Sequence, residues 1–357
     1  MSDLTTAPEP SPTTTTTSEE PTKPNGAART AIVKQQHSDD EHSGGEDAGP
    51  SVEVIDDDED LLDDYPADME ELDLIHLRIR SISALRLERF RKVTKLCLRQ
   101  NCISKIDGLN ALAATLTELD LYDNSIGHIN GVEELTGLTS LDLSFNSIKH
   151  IKRLDTLKGL QNLYFVQNRI SRIEGLDGFN KLTNLELGAN RIREIEGLDS
   201  LKSLEQLWLG KNKITELKNL DSLTNLKILS IQSNRLTEIK GLSSLGALEE
   251  LYISHNALTS ISGLDSNPKL RVLDVSNNTI EHLSGLEKVP LLEELWASSN
   301  KLTSFQEVED QLADKENLET VYLEGNPLQR DAGATYRNKV KLALPRVKQI
   351  DATFVRT

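Results

Sequence analysis

The stretch Leu182–Leu201, LTNLELGANRIREIEGLDSL, constrains the fold of this chain more than any other feature, because it recurs. The phrase LQNLYFVQNRISRIEGLDGF begins at Leu160 before it, and LEQLWLGKNKITELKNLDSL begins at Leu204 after it, so the three starts are evenly spaced. Their common skeleton is L-x-x-L-x-L-x-x-N-x-I-x-x-I-x-G/N-L-x-x-L. Its asparagine falls at Asn101, Asn124, Asn146, Asn168, Asn190, Asn212, Asn234, Asn256, Asn278, Asn300 and Asn326. From Asn124 to Asn300 the step never varies, and only the first and last steps are longer. A unit of that size is too small to bury its own leucines, so its stability has to come from stacking on its neighbours in a solenoid.

A fixed period with this motif is the signature of a leucine-rich repeat. The expected fold class is α/β: a leucine-rich repeat solenoid, a right-handed superhelix with a parallel concave sheet, with about 11 repeats plus N- and C-terminal caps. Positions are counted here from the asparagine, N. The leucines at N−5 and N−3 should point inward, and N−6, N−4 and N−2 outward, because side chains alternate along a strand. The asparagine amide both donates and accepts, so a stack of them can satisfy backbone groups of adjacent coils in the buried turn. Glycine occupies N+7 in seven repeats and Asn219 in an eighth. Both types tolerate the positive φ of a tight corner. Arg153 breaks that rule, and the sequence offers no reason.

The formal net charge of the 357-residue chain is −17, and it is unevenly placed. Residues 1–70 hold 19 Asp and Glu against Lys23, Arg29 and Lys34, so the remainder is close to neutral. Residues 1–71 read as an acidic disordered N-terminal tail, rich in Thr, Ser, Pro and Glu, with too little apolar surface to offset the entropy of ordering. Within it, Ser38 followed by Asp39-Asp40-Glu41 fits an acidophilic phosphosite. Residues 72–92 imitate the repeat phrase without its asparagine and read as an N-terminal cap; residues 93–328 are the repeats, and 329–357 a C-terminal cap. Near the end, Ser304-Phe305-Gln306-Glu307 reads as a helix-capping box, with Val308 and Leu312 on one face. Tyr336, Val340, Ala343 and Leu344 share a face of a further helix that Pro345 stops, shielding the last coil. No basic run is evident, which argues against direct binding to nucleic acid or an anionic membrane. Cys97 and Cys102 lack metal-ligand spacing, and no apolar run reaches signal or membrane length, so a reducing, intracellular setting is expected.

Solenoids bind through their concave surface, so the N−4 position is where function is sought. It reads Cys97, Asp120, Asp142, Tyr164, Glu186, Trp208, Ser230, Tyr252, Asp274, Trp296, Tyr322. Aromatic residues make up only 4% of the chain, yet both tryptophans stand in this row. Two candidate partner-binding clusters emerge: Asp142, Tyr164, Glu186 and Trp208, then Asp274, Glu294, Trp296 and Tyr322. Rings beside carboxylates are the composition of interface hot spots, and the acids call for a partner surface with Lys or Arg. Ring ladders also brace neighbouring strands, at about 0.2–1 kcal/mol per pair, but bracing does not require acids between them. Catalysis is not expected. Asp120 and Asp142 would lie on an open shelf, and His128, His150, His255 and His282 sit at the edges; no phosphate-binding, nucleophile-elbow or metalloprotease phrase occurs. No cofactor and no metal are expected.

The phrases TKLCLRQN, ELDLYDNSI, LELGANRIR, LWLGKNKIT, SIQSNRLTEIKGL, LETVYLEGNPLQ and LALPRVKQIDATFVR resemble the regulatory subunit 7 family of type-1 protein phosphatase, over about residues 68–357. The resemblance implies a non-catalytic regulator, in the nucleus and cytoplasm, that clasps the phosphatase catalytic subunit with its concave face. It also implies a ternary complex with inhibitor 3, and roles in phosphatase maturation, cell cycle and mitotic chromosome segregation. The family's binding residues carry over unchanged onto Asp142, Glu186, Asp274, Glu294, Trp296 and Tyr322. Tyr164 and Trp208 stand where phenylalanine is expected, and both keep a ring. The phosphatase docking phrase of R-V-x-F type has its nearest match in Lys92-Val93-Thr94-Lys95, which lacks the aromatic, leaving the sheet as the docking route. On its own the chain is expected to be a monomer. An alternative is a leucine-rich repeat scaffold of a splicing ribonucleoprotein, which shares the C-terminal cap phrase.

Overall fold

The computed structural model describes residues 58–355. Ser38 and most of the acidic tail lie outside the described residues. Twelve three-residue strands follow one another at repeat spacing. They are β1 (Glu71–Asp73), β2 (Lys95–Cys97), β3 (Glu118–Asp120), β4 (Ser140–Asp142), β5 (Asn162–Tyr164) and β6 (Asn184–Glu186). The series continues with β7 (Gln206–Trp208), β8 (Ile228–Ser230), β9 (Glu250–Tyr252), β10 (Val272–Asp274), β11 (Glu294–Trp296) and β12 (Thr320–Tyr322). A short pair, β13 (Gln349–Ile350) and β14 (Thr353–Phe354), completes a single sheet whose strand order is the chain order. Pairing is parallel up to β13, and β13 with β14 is antiparallel. In register, equivalent residues of successive repeats stand side by side, as in Asp142, Tyr164, Glu186 and Trp208.

Alternation along each strand does what the repeat phrase implies. Leu185, Leu187, Ile192, Ile195, Leu198, Leu201 and Leu204, the apolar set of one coil, are all 0% exposed. Behind the sheet the coils close through turns rather than helices. Among the described residues α-helix is confined to the C-terminal end: α1 (Phe305–Leu312), α2 (Pro327–Ala332) and α3 (Tyr336–Ala343).

The asparagine stack locks coil to coil. Asn190 Nδ2 donates to the carbonyls of Phe165 (2.8 Å) and Leu187 (3.1 Å), while its Oδ1 accepts from the Ile170 N–H (2.9 Å). The pattern holds from Asn101, which accepts from Ile79 N–H, to Asn326, which accepts from Leu302 N–H. After β13 there is no asparagine, and the Asp351 carboxylate takes the place that the carbonyl at the end of the next strand holds in other coils, as Trp208 O does for Leu187 N–H. Asp351 accepts from the N–H groups of Leu323 (2.8 Å) and Glu324 (3.0 Å). A carboxylate has nothing to donate, and the Tyr336 hydroxyl of α3 supplies a further donor to it at 3.0 Å. Burial and the Asp351 charge push the Tyr336 hydroxyl pKa far above its usual value.

The N+7 corner keeps one backbone conformation whatever residue occupies it. At Gly263 (φ +110°) an added Cβ would lie 2.1 Å from the Ile239 carbonyl oxygen. Asn219 (φ +58°) turns that close approach into a bond, its Nδ2 donating to Ile195 O at 2.8 Å. Arg153, the exception in the sequence, is in the same left-handed region (φ +63°), with its guanidinium 3.7 Å from Glu133. A second left-handed position was not foreseen. The residue at N−1 has φ between 52° and 56° in ten repeats, Phe145 and Ala189 included. There its N–H reaches the next coil, as Ala189 N–H does to Gly210 O at 2.8 Å.

The N-terminal cap includes residues 58–71, which the sequence assigns to the tail. Leu62 is 2% exposed and joins the core, with Tyr65 and Met69 packed against it. The Asp58 carboxylate accepts from the N–H groups of Arg80 (2.9 Å) and Ser81 (3.1 Å), and the Arg89 guanidinium donates to the Leu62 carbonyl. At the other end, Ser304 caps α1 as expected, accepting from Glu307 N–H at 3.1 Å. The reciprocal half of the box does not form. Glu307 turns instead to the preceding coil, accepting from Leu283 N–H (3.0 Å) and meeting His282 Nδ1 (2.9 Å). Val308, Leu312, Tyr336, Val340, Ala343 and Leu344 are buried, as the helical spacing predicts.

Candidate protein-binding face

Each N−4 residue is the last of its strand, on the side of the sheet away from the leucines. The eight candidate residues all lie on this face, and most are half-buried, as the intermediate-buried-intermediate pattern of β4 to β7 shows. Asp274 is the exception at 8% exposure, roofed by its neighbours and accepting from Ser276 N–H at 2.9 Å, so it does not present an open carboxylate.

The two predicted clusters form one continuous row. The rings of Trp208 and Tyr252 stack at 6.4 Å across the strand carrying Ser230, which is 1% exposed. Tyr252 meets Trp296 edge-on at 6.3 Å across Asp274, and Trp296 meets Tyr322 at 5.7 Å. Tyr252 was outside both predicted clusters and is the link between them. Its signal was present in the N−4 row; large rings span two strand spacings and close over the small Ser230 between them. Acids on the neighbouring outward position fix the rings. Trp296 Nε1 donates to Glu294 Oε2 (3.0 Å), Tyr252 Oη donates to Glu250 Oε2 (2.8 Å), and Gln349 Nε2 donates to Tyr322 Oη (2.8 Å).

Toward the N-terminal end the face is acidic and short of cations. Desolvation holds the carboxyl pKa of Asp120, Asp142 and Glu186 above its usual range. Burial likewise raises the Tyr164 hydroxyl. Asp142 Oδ1 accepts from Ser144 N–H at 2.8 Å, and Asp120 has Arg99 at 3.5 Å. Trp208 Nε1 and Asn184 Oδ1, on adjacent strands, are buried without a hydrogen-bond partner among the described residues. An unpaired buried donor or acceptor costs about 1–3 kcal/mol. Asp142 and Glu186, desolvated and with no ion pair among the described residues, together with the orphaned polar atoms make this surface less stable alone than it would be against a partner that supplies donors and positive charge.

The other candidates fall elsewhere. His150 and His282 pair with Glu174 and Glu307 of the following coil, away from the sheet. Val93 of the weak docking phrase is 0% exposed, so its apolar residue belongs to the core and is not presented for docking. Cys97, in the face, is a free thiol whose pKa burial pushes up to about 11; Cys102 is free and exposed. Among the described residues no group of His, Cys, Asp and Glu is placed to hold a metal ion.

Comparison with known proteins agrees with this architecture. A family model described as "Leucine Rich repeats (2 copies)" matches residues 158–200, 202–244 and 247–288. The chain is 57% identical over 89 residues to protein phosphatase 1 regulatory subunit SDS22 of Schizosaccharomyces pombe, covering 25% of this chain and 26% of that protein. It is 48% identical over 97 residues to the Saccharomyces cerevisiae protein of the same name, covering 24% and 29%. It is 66% identical over 47 residues to protein phosphatase 1 regulatory subunit 7 of Homo sapiens, covering 13% and 12%. The matched segments thus span at most about a quarter to three tenths of the length of these relatives. Among solved structures, a Listeria monocytogenes internalin aligns with TM-score 0.61 at 23% identity, over 86% of this chain and 92% of that one. The leucine-rich repeat domain of APL1 aligns with TM-score 0.61 at 25% identity, over 74% and 70%. The chain has the leucine-rich repeat fold, and segments of its repeats are similar to proteins named as regulatory subunits of protein phosphatase 1.

Proposed function

We propose that the chain is a non-catalytic regulatory subunit of type-1 serine/threonine protein phosphatase, docking the catalytic subunit on its concave face and controlling its activity, maturation or targeting. The observation that carries the reading is the identity of its repeats to regulatory subunits of that phosphatase, at 48–66% over the matched segments. The face itself supports the docking mode. Its rings are pre-stacked, Asp142 and Glu186 have no ion pair among the described residues, and Trp208 Nε1 awaits an acceptor. A sheet already folded loses little ordering entropy on binding, and a regulator shifts its partner only by its differential affinity for the partner's states. Inhibitor 3 joins this reading as a further partner in a ternary complex, and nucleus and cytoplasm as its places of action.

The test is calorimetry of the full chain with purified phosphatase catalytic subunit. Saturable one-to-one binding that is lost on changing Glu186 and Trp296 together supports the proposal. No binding, or binding indifferent to those residues, removes it. A pull-down that returns ribonucleoprotein instead of phosphatase would favour the splicing scaffold.

A further inference from the structure

Immediately after the asparagine, position N+1 reads Ser147, Arg169, Arg191, Lys213, Arg235, Ala257 in successive repeats. The four cations are dispersed, one to a repeat, so the sequence shows no basic run. The fold gathers them. The N–H groups of Arg191, Lys213 and Arg235 donate to the carbonyls of Ile170, Ile192 and Ile214, each at 2.8 Å, and each carbonyl belongs to the residue next to the cation of the preceding coil. The result is a ladder of one positive charge per coil along the loop rim beyond the strand ends. Arg169, Arg191 and Arg235 are exposed and Lys213 is half-buried.

These cations have no carboxylate partner among the described residues. Several basic groups elsewhere on the solenoid are paired with the neighbouring coil: Arg172 with Glu196 (3.1 Å), Lys227 with Glu205 (2.8 Å), Arg271 with Glu293 (2.8 Å). Glu194 and Glu216, in the coils of the ladder, are held by Lys218 at 3.4 and 3.8 Å. At the head of the ladder lies an open hollow of about 320 Å³, lined by Phe145, Gln167, Arg169 and Arg191, with Asp123 at its far end. Phe145 is 39% exposed, unusual for a phenylalanine here, and its ring rests on Tyr122 at 4.7 Å.

We propose that this rim is a docking site for an extended acidic polypeptide segment with an apolar residue at one end. The apolar side chain enters the hollow against Phe145, and the acids run along Arg169, Arg191, Lys213 and Arg235. Asp123 sets that polarity, since it repels a carboxylate placed at the Phe145 end. The same charge disfavours nucleic acid, because a base stacked on Phe145 brings its own phosphate beside Asp123. Size agrees with a short motif. Four coil steps of about 4.8 Å, from Phe145 to Arg235, equal about six residues of extended chain at about 3.3 Å each. The rim is distinct from the concave rings, so the site does not depend on the phosphatase reading.

A dye-labelled synthetic heptapeptide, Phe followed by six alternating Glu and Asp, provides the test by fluorescence anisotropy with the full chain. Saturable binding is expected, weakening several-fold as salt rises from about 50 to about 300 mM. The double variant Arg191→Glu/Lys213→Glu should weaken it at least about tenfold, and Arg169→Gln/Arg235→Gln by a smaller factor. Replacing the peptide's Phe with Ala should also weaken it, whereas Trp208→Ala on the concave face should not. All variants are checked for native circular dichroism. Absence of saturable binding, ladder variants that bind as the parent does, or displacement of the peptide by an equal concentration of oligouridine of matched charge would each overturn the assignment.

Discussion

A single side chain such as Asn190 satisfies groups in its own coil and in the one before, and no other residue type fits all of its partners. Asn190→Ala strands Ile170 N–H in the interior and leaves the Phe165 carbonyl with Asn168 Nδ2 as its one amide donor, so it should cost about 1–3 kcal/mol, read as a lower denaturant midpoint. On the concave face, Trp296→Ala or Glu186→Ala should weaken the proposed phosphatase complex by about 2 kcal/mol, about thirtyfold in Kd by calorimetry. Asp142 separates stability from binding. Its raised pKa means that folding favours its protonated form. That contribution is complete below the ordinary carboxylate value of about 3.9 and is lost as pH rises through the raised value, so the ionised group costs stability at neutrality. Asp142→Asn keeps an oxygen for Ser144 N–H and should raise Tm near pH 7, with the gain vanishing near about pH 4, while weakening a cationic partner.

At the scale of elements, legibility followed periodicity. The repeat strands β2 to β12, α1 and α3 were readable, because apolar spacing of two or of three and four leaves few alternatives. The folded part of residues 58–71 was not readable. Its few apolar anchors, Leu62, Tyr65 and Met69, are set among acids whose composition signals disorder, and one of those acids, Asp58, acts as a backbone acceptor. The left-handed N−1 position escaped for the opposite reason. Phe145 and Ala189 carry no preference for positive φ, and the next coil's carbonyl imposes it. On the binding face the row was legible and its continuity was not, since Tyr252 joins the clusters through ring size rather than sequence order. For the cap itself, Ser304→Ala should cost about 1 kcal/mol. Glu307→Ala should cost at least as much, because Leu283 N–H then loses its acceptor as well. Thermal denaturation of the two variants compares them.

At the scale of the solenoid, each coil touches its neighbours and little else, so stability is close to a sum of coil and interface contributions. Leu207 is 0% exposed in the middle of the row, and Leu207→Ala should cost about 2–5 kcal/mol. Hydrogen exchange should show lost protection centred on the coils of β6 to β8 and fading toward both caps. Exchange raised equally everywhere would contradict that one-dimensional picture. The sheet presents rings and acids, the rim presents cations, and the two meet where Phe145 rests on Tyr122.

The asparagine stack also governs how such a molecule changes its length. Each amide oxygen takes its hydrogen from the turn before, so an inserted copy of one whole repeat arrives with both of its joints already matched. A shorter insertion within the turn mismatches two joints at once. Growth and shrinkage are therefore quantised along a single axis, and a duplication adds one rung to the rim and one tooth to the face together.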